Sequence, residues 1–340
     1  MVNAVLVGCG AMSKAWLEAT ARIDGLTISG LVDIDQARAE ARAAEFGLSS
    51  AVVGADLGTV LAQTSPDMVF DVVVPAARRD VALTAFRHGC HLLTEKPLAD
   101  TPENARDIVD AARDAGRIHA VVQNRRYVSQ VRRIRRFIDS GAIGAPTSIH
   151  CDFFVAPHFG GFREEMRHVL LLDMAIHTFD AARYLIAGQP KAVYCQEWEP
   201  KNSWYEQGSS AIAIFEMAGG AIFTYRGSWC ADGPRTSWES AWRIVGEHGA
   251  LTWDGFDDIR AEIRTDERDG ILEKQRPIEV PPLNPSDRIG GHLGVIQDFV
   301  AAVQNGAQPE TTGTDNIKSL AMVFSAIESA ETGRRIAIEP

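Results

Sequence analysis

A glycine-rich turn close to the start of this 340-residue chain has the spacing of a phosphate-binding loop. Residues 8–13 read Gly-Cys-Gly-Ala-Met-Ser, which is G-x-G-x-x-G with serine at the third glycine position. The first glycine permits a tight bend, the second lets the backbone approach a pyrophosphate, and the third position needs only a small residue. We therefore expect Gly8, Gly10, Ala11 and Met12 to contact a dinucleotide, although such a turn also occurs in other α/β folds.

An acid follows at the distance that a dinucleotide site requires. Asp33 lies 23 residues after Gly10, at the end of an apolar run over 26–33. A carboxylate there accepts hydrogen bonds from the adenosine ribose and repels a 2′-phosphate, which favours NAD over NADP. We expect the adjacent Ile34 to line the same site. The alternative is that Asp33 only caps the next helix.

Glu95-Lys96-Pro97 ends an apolar run over 91–95. Ligands of open α/β sheets bind at the carboxyl ends of the strands. From there the Lys96 ammonium could reach both the nicotinamide ribose and a substrate oxygen. Val74-Pro75 ends the run over 68–74 in the same way, so we expect Val74, Pro75 and Glu95 to contact the cofactor. An isolated Glu-Lys-Pro is also typical of an exposed charged loop.

Asp173 and His177 lie four residues apart in a predicted helix over 169–187, and so on one face of it. A neutral imidazole can take a hydroxyl proton near pH 7. Asp173 would hydrogen-bond the substrate or bias the charge of the histidine, and Lys96 would stabilise a developing alkoxide. A single pair of this spacing is also common on helices without any catalytic role.

The elements that must position these residues alternate in the first third of the chain. Strand-like runs are separated by helical segments of 10–15 residues, which predicts a parallel, doubly wound sheet. From 191 to 279 the strand-like runs are joined by short turns, which predicts antiparallel pairing. The length fits about two domains.

The order and spacing of these motifs resemble the glucose–fructose oxidoreductase / inositol dehydrogenase / MocA (Gfo/Idh/MocA) family. The resemblance implies an N-terminal Rossmann domain over 1–122 and a C-terminal α+β domain over 123–340 with a large, mostly antiparallel sheet. It also implies a bound nicotinamide cofactor and a sugar or polyol substrate, with Lys96, Asp173 and His177 matching the family's catalytic positions. After the fourth strand the family often has T-P-N-x-x-H, where this chain has Val-Pro-Ala-Ala-Arg-Arg at 74–79.

Three further residues are candidates for substrate binding. Asn124 and Arg125 directly follow a strand-like run over 117–122, at the predicted ligand edge of the sheet. Asp152 lies on a predicted strand over 147–155 and shares a face with His150. That polar face could line the site, or it could simply face solvent.

The composition narrows the classes of partner. Lys and Arg number 34 and Asp and Glu 45, and the resulting net charge of −11 argues against nucleic acid or an anionic membrane. A local basic group could still hold a small anionic ligand. The five cysteines show no C-x-x-C and the histidines no metal-ligand spacing, so we expect no metal and a cytoplasmic location. Tryptophans concentrated in the predicted antiparallel sheet suggest a homodimer or homotetramer through that sheet.

These observations favour an NAD-dependent dehydrogenase that acts on a hydroxyl carbon of a sugar or cyclic polyol. One alternative is a glycosidase that uses bound NAD for transient oxidation. Another is a non-catalytic NAD-binding regulator, which would have no need for the ammonium, the carboxylate and the imidazole together.

Overall fold

The structure is a computed structural model that describes residues 1–339. It divides into two compact units, one formed by Met1–Tyr127 with Arg288–Ile317 and the other by Val128–Asp287 with residues 318–339. The first boundary lies five residues beyond the predicted one at 122. The prediction that 123–340 forms a single domain is wrong for residues 288–317, which belong to the first unit.

The strands are β1 (Val2–Val7), β2 (Leu26–Val32), β3 (Val52–Gly54), β4 (Met68–Asp71), β5 (His91–Thr94), β6 (His119–Val121), β7 (Pro146–Phe154), β8 (Pro190–Trp198), β9 (Ser210–Met217), β10 (Ile222–Ser228), β11 (Ala241–Gly246), β12 (Gly249–Trp253), β13 (Ile259–Asp269), β14 (Leu272–Ile278) and β15 (Ile336–Ala337). The helices are α1 (Ala11–Thr20), α2 (Gln36–Glu45), α3 (Leu57–Thr64), α4 (Arg78–Arg87), α5 (Pro102–Asp114), α6 (Ser129–Asp139), α7 (Phe162–Glu165), α8 (Ile176–Ile186), α9 (His292–Asn305) and α10 (Gly313–Thr332).

A parallel sheet with the order β3-β2-β1-β4-β5-β6 forms the centre of the first unit. This is the doubly wound arrangement that the alternating pattern predicts, and β3 and α3 complete it although neither was predicted. The strand order reverses between β1 and β4. In open sheets this switch point forms the crevice where a dinucleotide binds, outside the carboxyl ends of the strands.

Helix α9 belongs to the first unit because its apolar face completes that unit's core. Phe299 is fully buried, and its ring lies 6.5 Å from that of Phe70 on β4. Phe70 in turn lies 5.4 Å from Trp16 on α1. Since Phe299 and Phe70 are more than 200 positions apart, local sequence patterns could not have predicted their contact.

The second unit contains a sheet with the order β14-β13-β12-β11-β7-β10-β9-β8-β15. Its neighbouring strands pair antiparallel, apart from β7 and β10, which run parallel. The predicted large and mostly antiparallel sheet is therefore confirmed. Helix α8 packs on one face of it, where the Phe179 ring lies 4.7 Å from Phe215 and 5.3 Å from Tyr225.

The predicted helix over 169–187 is divided in two. Residues Leu170–Ala175 form a π-helical turn, which continues directly into α8. A π-turn inserts into an α-helix with i→i+5 hydrogen bonds and is frequent at functional sites. Asp173 lies in the π-turn and His177 in the α-helix, so the simple four-residue spacing of the prediction does not describe their relation.

Among residues 1–339, no helix is both long enough and apolar enough to cross a membrane.

Candidate active site

The glycine turn joins β1 to α1 and has the features of a phosphate cradle. Gly8 has φ +93°, and a Cβ there would lie 2.6 Å from the carbonyl carbon of Val72, so only glycine fits. A Cβ on Gly10 would meet no described atom within 4 Å, which leaves open space in front of the helix. The N-cap residue of α1 is Gly10, which has no side chain to compete with an anion for the first N–H groups of the helix.

Small residues close the turn behind that open space. Ser13 is buried, and its hydroxyl donates to the Gly10 carbonyl at 2.6 Å. This is the third position of the motif, where close helix–strand packing tolerates serine. Ala11 and Met12 form the exposed first turn of α1, so they lie where the sequence predicts cofactor contacts.

Asp33 is fixed at the carboxyl end of β2, beside the glycine turn. One carboxylate oxygen accepts from the Cys9 N–H at 2.8 Å and the other from the Asp35 N–H at 3.0 Å. Burial, together with the Asp33 charge, raises the pKa of the Cys9 thiol to about 12, so the cysteine stays neutral. Ile34 beside it is 95% exposed, as is typical of an apolar residue that covers a ligand.

Arg78, at the start of α4, joins two loops at the carboxyl edge of the same sheet. Its guanidinium donates to the Val73 carbonyl at 3.0 Å and to the Pro97 carbonyl. Arg78 is 3% exposed. It therefore connects the loop after β4, which contains the exposed Val74 and the half-buried Pro75, to the loop after β5 that carries Lys96.

The Glu95 carboxylate holds the Lys96 backbone in place. One oxygen accepts from Trp16 Nε1 at 3.2 Å and pairs with His292 Nε2 at 2.9 Å, and the other accepts from the Lys96 N–H at 2.8 Å. Burial alone would raise the pKa of Glu95, but the hydrogen bond and charge of His292 lower it below its ordinary value. Glu95 therefore stays ionised, and its role is to hold the Lys96 loop, which includes a cis Lys96–Pro97 bond.

Asn124 and Arg125 begin a short 3₁₀ helix that directly follows β6. The structure thus brings the predicted cofactor and substrate residues of the first unit to the carboxyl ends of five neighbouring strands of one sheet. From β2 to β6 the order of contributors is Asp33, the glycine turn, Val74 with Pro75, Lys96, and Asn124 with Arg125.

Asp173 and His177 lie in the second unit. His177 is 9% exposed. One Asp173 oxygen accepts from Arg163 Nε at 2.7 Å. The guanidinium of Arg163 lies 5.0 Å from the ring centre of Phe159 and 4.8 Å from that of Phe162. A charged partner thus holds the predicted catalytic carboxylate.

His168 fixes the start of the segment that carries Asp173. It has φ +53°, a backbone conformation that L-residues rarely adopt, and its ring pairs with Glu197 at 2.6 Å and Glu331 at 3.4 Å. The hydrogen bond with Glu197 raises the pKa of His168. The π-turn therefore begins from a backbone position that two carboxylates restrain.

Asp152 does not lie with Asp173 and His177. Its neighbours Cys151 and Phe153 are buried on the face of the sheet that α8 covers, whereas Asp152 projects from the opposite face. There both of its oxygens pair with Arg226, at 2.7 and 2.5 Å. The alternation along β7 is as predicted, but the polar face is the one away from α8, so we leave Asp152 out of the proposed site.

Sequence reasoning missed Trp16, Arg78, His292 and Arg163. Trp16 and His292 both bond the Glu95 carboxylate, which lies 79 and 197 residues away from them in the chain. No local sequence pattern indicates such a contact. Arg163 lies two residues after the second of the glycines at 160 and 161, both with positive φ, and that turn was the available signal. Among residues 1–339, no group of three or more His, Cys, Asp or Glu is placed to hold a metal ion.

Two family models match the chain. Residues 2–123 match an oxidoreductase family with an NAD-binding Rossmann fold. Residues 131–252 match the GFO/IDH/MocA C-terminal domain. Together the two matches cover more than half of the 340 residues.

Characterised proteins resemble the chain over nearly its whole length. D-apiose dehydrogenase from Paraburkholderia graminis is 28% identical over 346 residues, covering 98% of this chain and 89% of that protein. A 1,5-anhydro-D-fructose reductase from Ensifer adhaerens is 24% identical over 339 residues, covering 98% of each. The crystal structure of an oxidoreductase from Agrobacterium radiobacter with NAD+, L-tartaric acid and magnesium has a TM-score of 0.86 at 22% identity, covering 99% of this chain and 98% of that chain.

The chain belongs to the GFO/IDH/MocA oxidoreductase family, and its first unit is the NAD-binding Rossmann domain of that family.

Proposed function

We propose that this chain is an NAD-dependent dehydrogenase that moves a hydride between a hydroxyl carbon of a sugar or cyclic polyol and nicotinamide. The observation that carries the proposal is the position of Lys96, at the carboxyl end of β5 and two strands from the glycine turn. A dinucleotide at the switch point has one half over the glycine turn and Asp33 and the other over β4 and β5. Lys96 then belongs to the nicotinamide half.

The substrate class is proposed from the relatives. The two similar proteins described above act, by name, on D-apiose and 1,5-anhydro-D-fructose. Both compounds contain carbons that carry a hydroxyl or carbonyl oxygen. Such a carbon can exchange a hydride with nicotinamide while its oxygen gains or loses a proton.

In the proposed mechanism His177 and Lys96 act on the reacting oxygen of the substrate, and Asp173 supports them. The bound nicotinamide supplies a hydride acceptor. His177 takes the proton from the reacting hydroxyl oxygen as a general base. The Lys96 ammonium stabilises negative charge on that oxygen, and Asp173 orients the substrate or favours the protonated form of the histidine.

We infer a preference for NAD over NADP from Asp33. Both of its oxygens are held by backbone N–H groups at the end of β2, so the carboxylate cannot turn away from a ribose placed beside the glycine turn. A 2′-phosphate there would meet a fixed negative charge.

We also propose that copies of the chain associate as a homodimer or homotetramer through the sheet face opposite α8. Tyr194, Trp198, Ile212 and Ile214 on β8 and β9 are each 40–44% exposed and form an apolar patch on that face. Sedimentation velocity tests this: a monomer at micromolar concentration would contradict it.

The decisive test of the function is a panel of sugars and polyols with NAD, followed by the absorbance of NADH. We expect at least one member to be oxidised. Glycoside cleavage without NADH accumulation would instead identify a glycosidase, and tight NAD binding without any turnover would identify a regulator.

A further inference from the structure

Arg163, in the short helix α7, pairs with the proposed catalytic carboxylate of Asp173, and aromatic rings restrain its guanidinium. Its Nε donates to Asp173 at 2.7 Å. Phe159 and Phe162 lie within 5.0 Å of its guanidinium carbon. A guanidinium between aromatic rings and bonded through one edge loses most of its freedom to rotate.

The aromatic support of Arg163 is itself packed into the second unit. The Phe159 ring lies 5.3 Å from buried Trp229 and 6.2 Å from Trp238. The neighbouring Glu164 does not compete for Arg163, because its carboxylate accepts from the Gly160 N–H at 3.0 Å. The position of the guanidinium therefore does not depend on a ligand.

The outer edge of this guanidinium is available to a ligand. No residue among 1–339 accepts a hydrogen bond from Nη1 or Nη2 of Arg163, and the side chain is 31% exposed. Two parallel N–H groups in a fixed plane match the two oxygens of a carboxylate or a phosphate. Neutral hydroxyl groups gain much less from such a fork.

We propose that Arg163 binds an oxyanion of the substrate, a carboxylate or a phosphate ester, next to the carbon that is oxidised. The proposal rests on the proposed function, because it takes Asp173 to lie at the reacting end of the substrate. The substrate class becomes sugar acids or sugar phosphates rather than neutral polyols. The net charge of −11 does not oppose this, since one direct contact with a cation outweighs long-range repulsion that salt screens.

The test measures binding rather than turnover, by calorimetric titration of the full chain loaded with NADH. The probes are matched pairs: D-gluconate with D-sorbitol, D-glucuronate with D-glucose, and D-glucose 6-phosphate with D-glucose. We expect one anionic member to bind about tenfold or more tightly than its neutral counterpart, as a charge-assisted hydrogen bond gives. The first two pairs identify a carboxylate and the third a phosphate.

Variants assign the preference to Arg163. In Arg163→Gln the anion should lose roughly 10- to 100-fold in affinity while its neutral counterpart changes little. Arg163→Lys should recover only part of the loss, because it keeps the charge without the planar fork. Arg167→Gln is the matched control, since Arg167 is 68% exposed and bonds Gln207 and Glu331 instead.

Two results would overturn the inference. One is that no anionic probe binds more tightly than its neutral counterpart. The other is that Arg163→Gln weakens both members of a pair equally, which a purely structural role would produce. Failure of the proposed function is distinguishable, since it would be seen as absent NADH binding or as a lack of oxidation across the sugar panel.

Discussion

At the scale of single residues, the first unit uses buried charges to hold loops rather than to react. Asp33 illustrates this, because its two oxygens are bonded to the N–H groups of Cys9 and Asp35. Its negative charge is therefore fixed beside the glycine turn, where we propose that the adenosine ribose binds. We therefore expect the preference for NAD over NADP to depend more on the charge of Asp33 than on the hydrogen bonds that Asp33 could make to the cofactor.

Asp33→Asn removes the charge and keeps one oxygen acceptor for the Cys9 N–H, at the expense of the hydrogen bond from the Asp35 N–H. We expect the ratio of kcat/KM for NAD to that for NADP to fall by roughly tenfold or more, as the loss of one like-charge contact predicts. Asp35→Asn is the control, because Asp35 pairs with Arg38 at the surface. An unchanged ratio in Asp33→Asn would remove Asp33 from cofactor selection.

Arg78 permits a more selective prediction, because it joins only the loops at the nicotinamide end. Arg78→Gln and Arg78→Lys should weaken NADH roughly tenfold through the lost charge-assisted hydrogen bonds. We expect AMP to bind over the glycine turn and Asp33 only, so its affinity should stay within about twofold of the native value. Calorimetric titration with NADH and with AMP measures the two affinities.

The neighbouring Arg79 provides the control for that experiment. Arg79→Gln removes surface pairs with Asp107 and Asp80 and should leave both affinities unchanged. Equal losses of NADH and AMP affinity in the Arg78 variants would indicate general damage to the domain and contradict the positioning role.

The residues that the sequence identified share a simple property. Gly8, Asp33 and Lys96 each lie one or two residues after the end of a strand, so each is contiguous in the chain with the strand that positions it. Arg78 and His292 are equally important to the same loops, but their partners come from other elements. Local patterns describe strand ends well and carry no information on which distant side chain reaches them.

At the scale of elements, the π-turn over Leu170–Ala175 is the feature that the spacing of apolar residues did not predict. Apolar spacing predicts a helix there, and a helix is found. The spacing cannot distinguish i→i+4 from i→i+5 bonding over a single turn. The difference is local, but it falls on Asp173, so the orientation of a proposed catalytic group was the least predictable part of its helix.

Helix α9 provides the prediction at this scale. Phe299 fills the core of the first unit beside Phe70, so Phe299→Ala should cost about 3–5 kcal/mol of unfolding free energy. Urea unfolding, monitored by the loss of NADH binding, reports on the stability of that unit. Phe256→Ala is the control, because Phe256 is 58% exposed. Equal midpoints for the two variants would show that α9 is not part of this core.

At the scale of the whole molecule, two buried groups give the free energy of unfolding opposite dependences on pH. Burial raises the pKa of Asp71 to about 7, with Arg78 opposing the shift. Burial lowers the pKa of His119 to about 3. The contribution of Asp71 is complete below its unfolded pKa near 4 and is lost as pH rises to 7. That of His119 is present above pH 6.5 and is lost as pH falls toward 3.

Asp71→Asn isolates the first of these effects, because His119 contributes equally to both proteins. Relative to the native chain, the variant should be more stable at pH 8 than at pH 5 by roughly 2–3 kcal/mol, measured by urea unfolding. Asp80→Asn, at an exposed carboxylate, should show no such dependence. A pH-independent difference for Asp71→Asn would mean that its carboxylate is ionised across this range in the folded protein.

The central claim is that Lys96 and His177 act on the substrate and not on cofactor binding. The direct measurement is turnover of a substrate found in the sugar panel by Lys96→Ala and His177→Ala, with the NADH dissociation constant of each. We predict that each variant loses about 100-fold or more in kcat. NADH affinity should stay within a few-fold of the native value. Near-native turnover in either variant would contradict the claim.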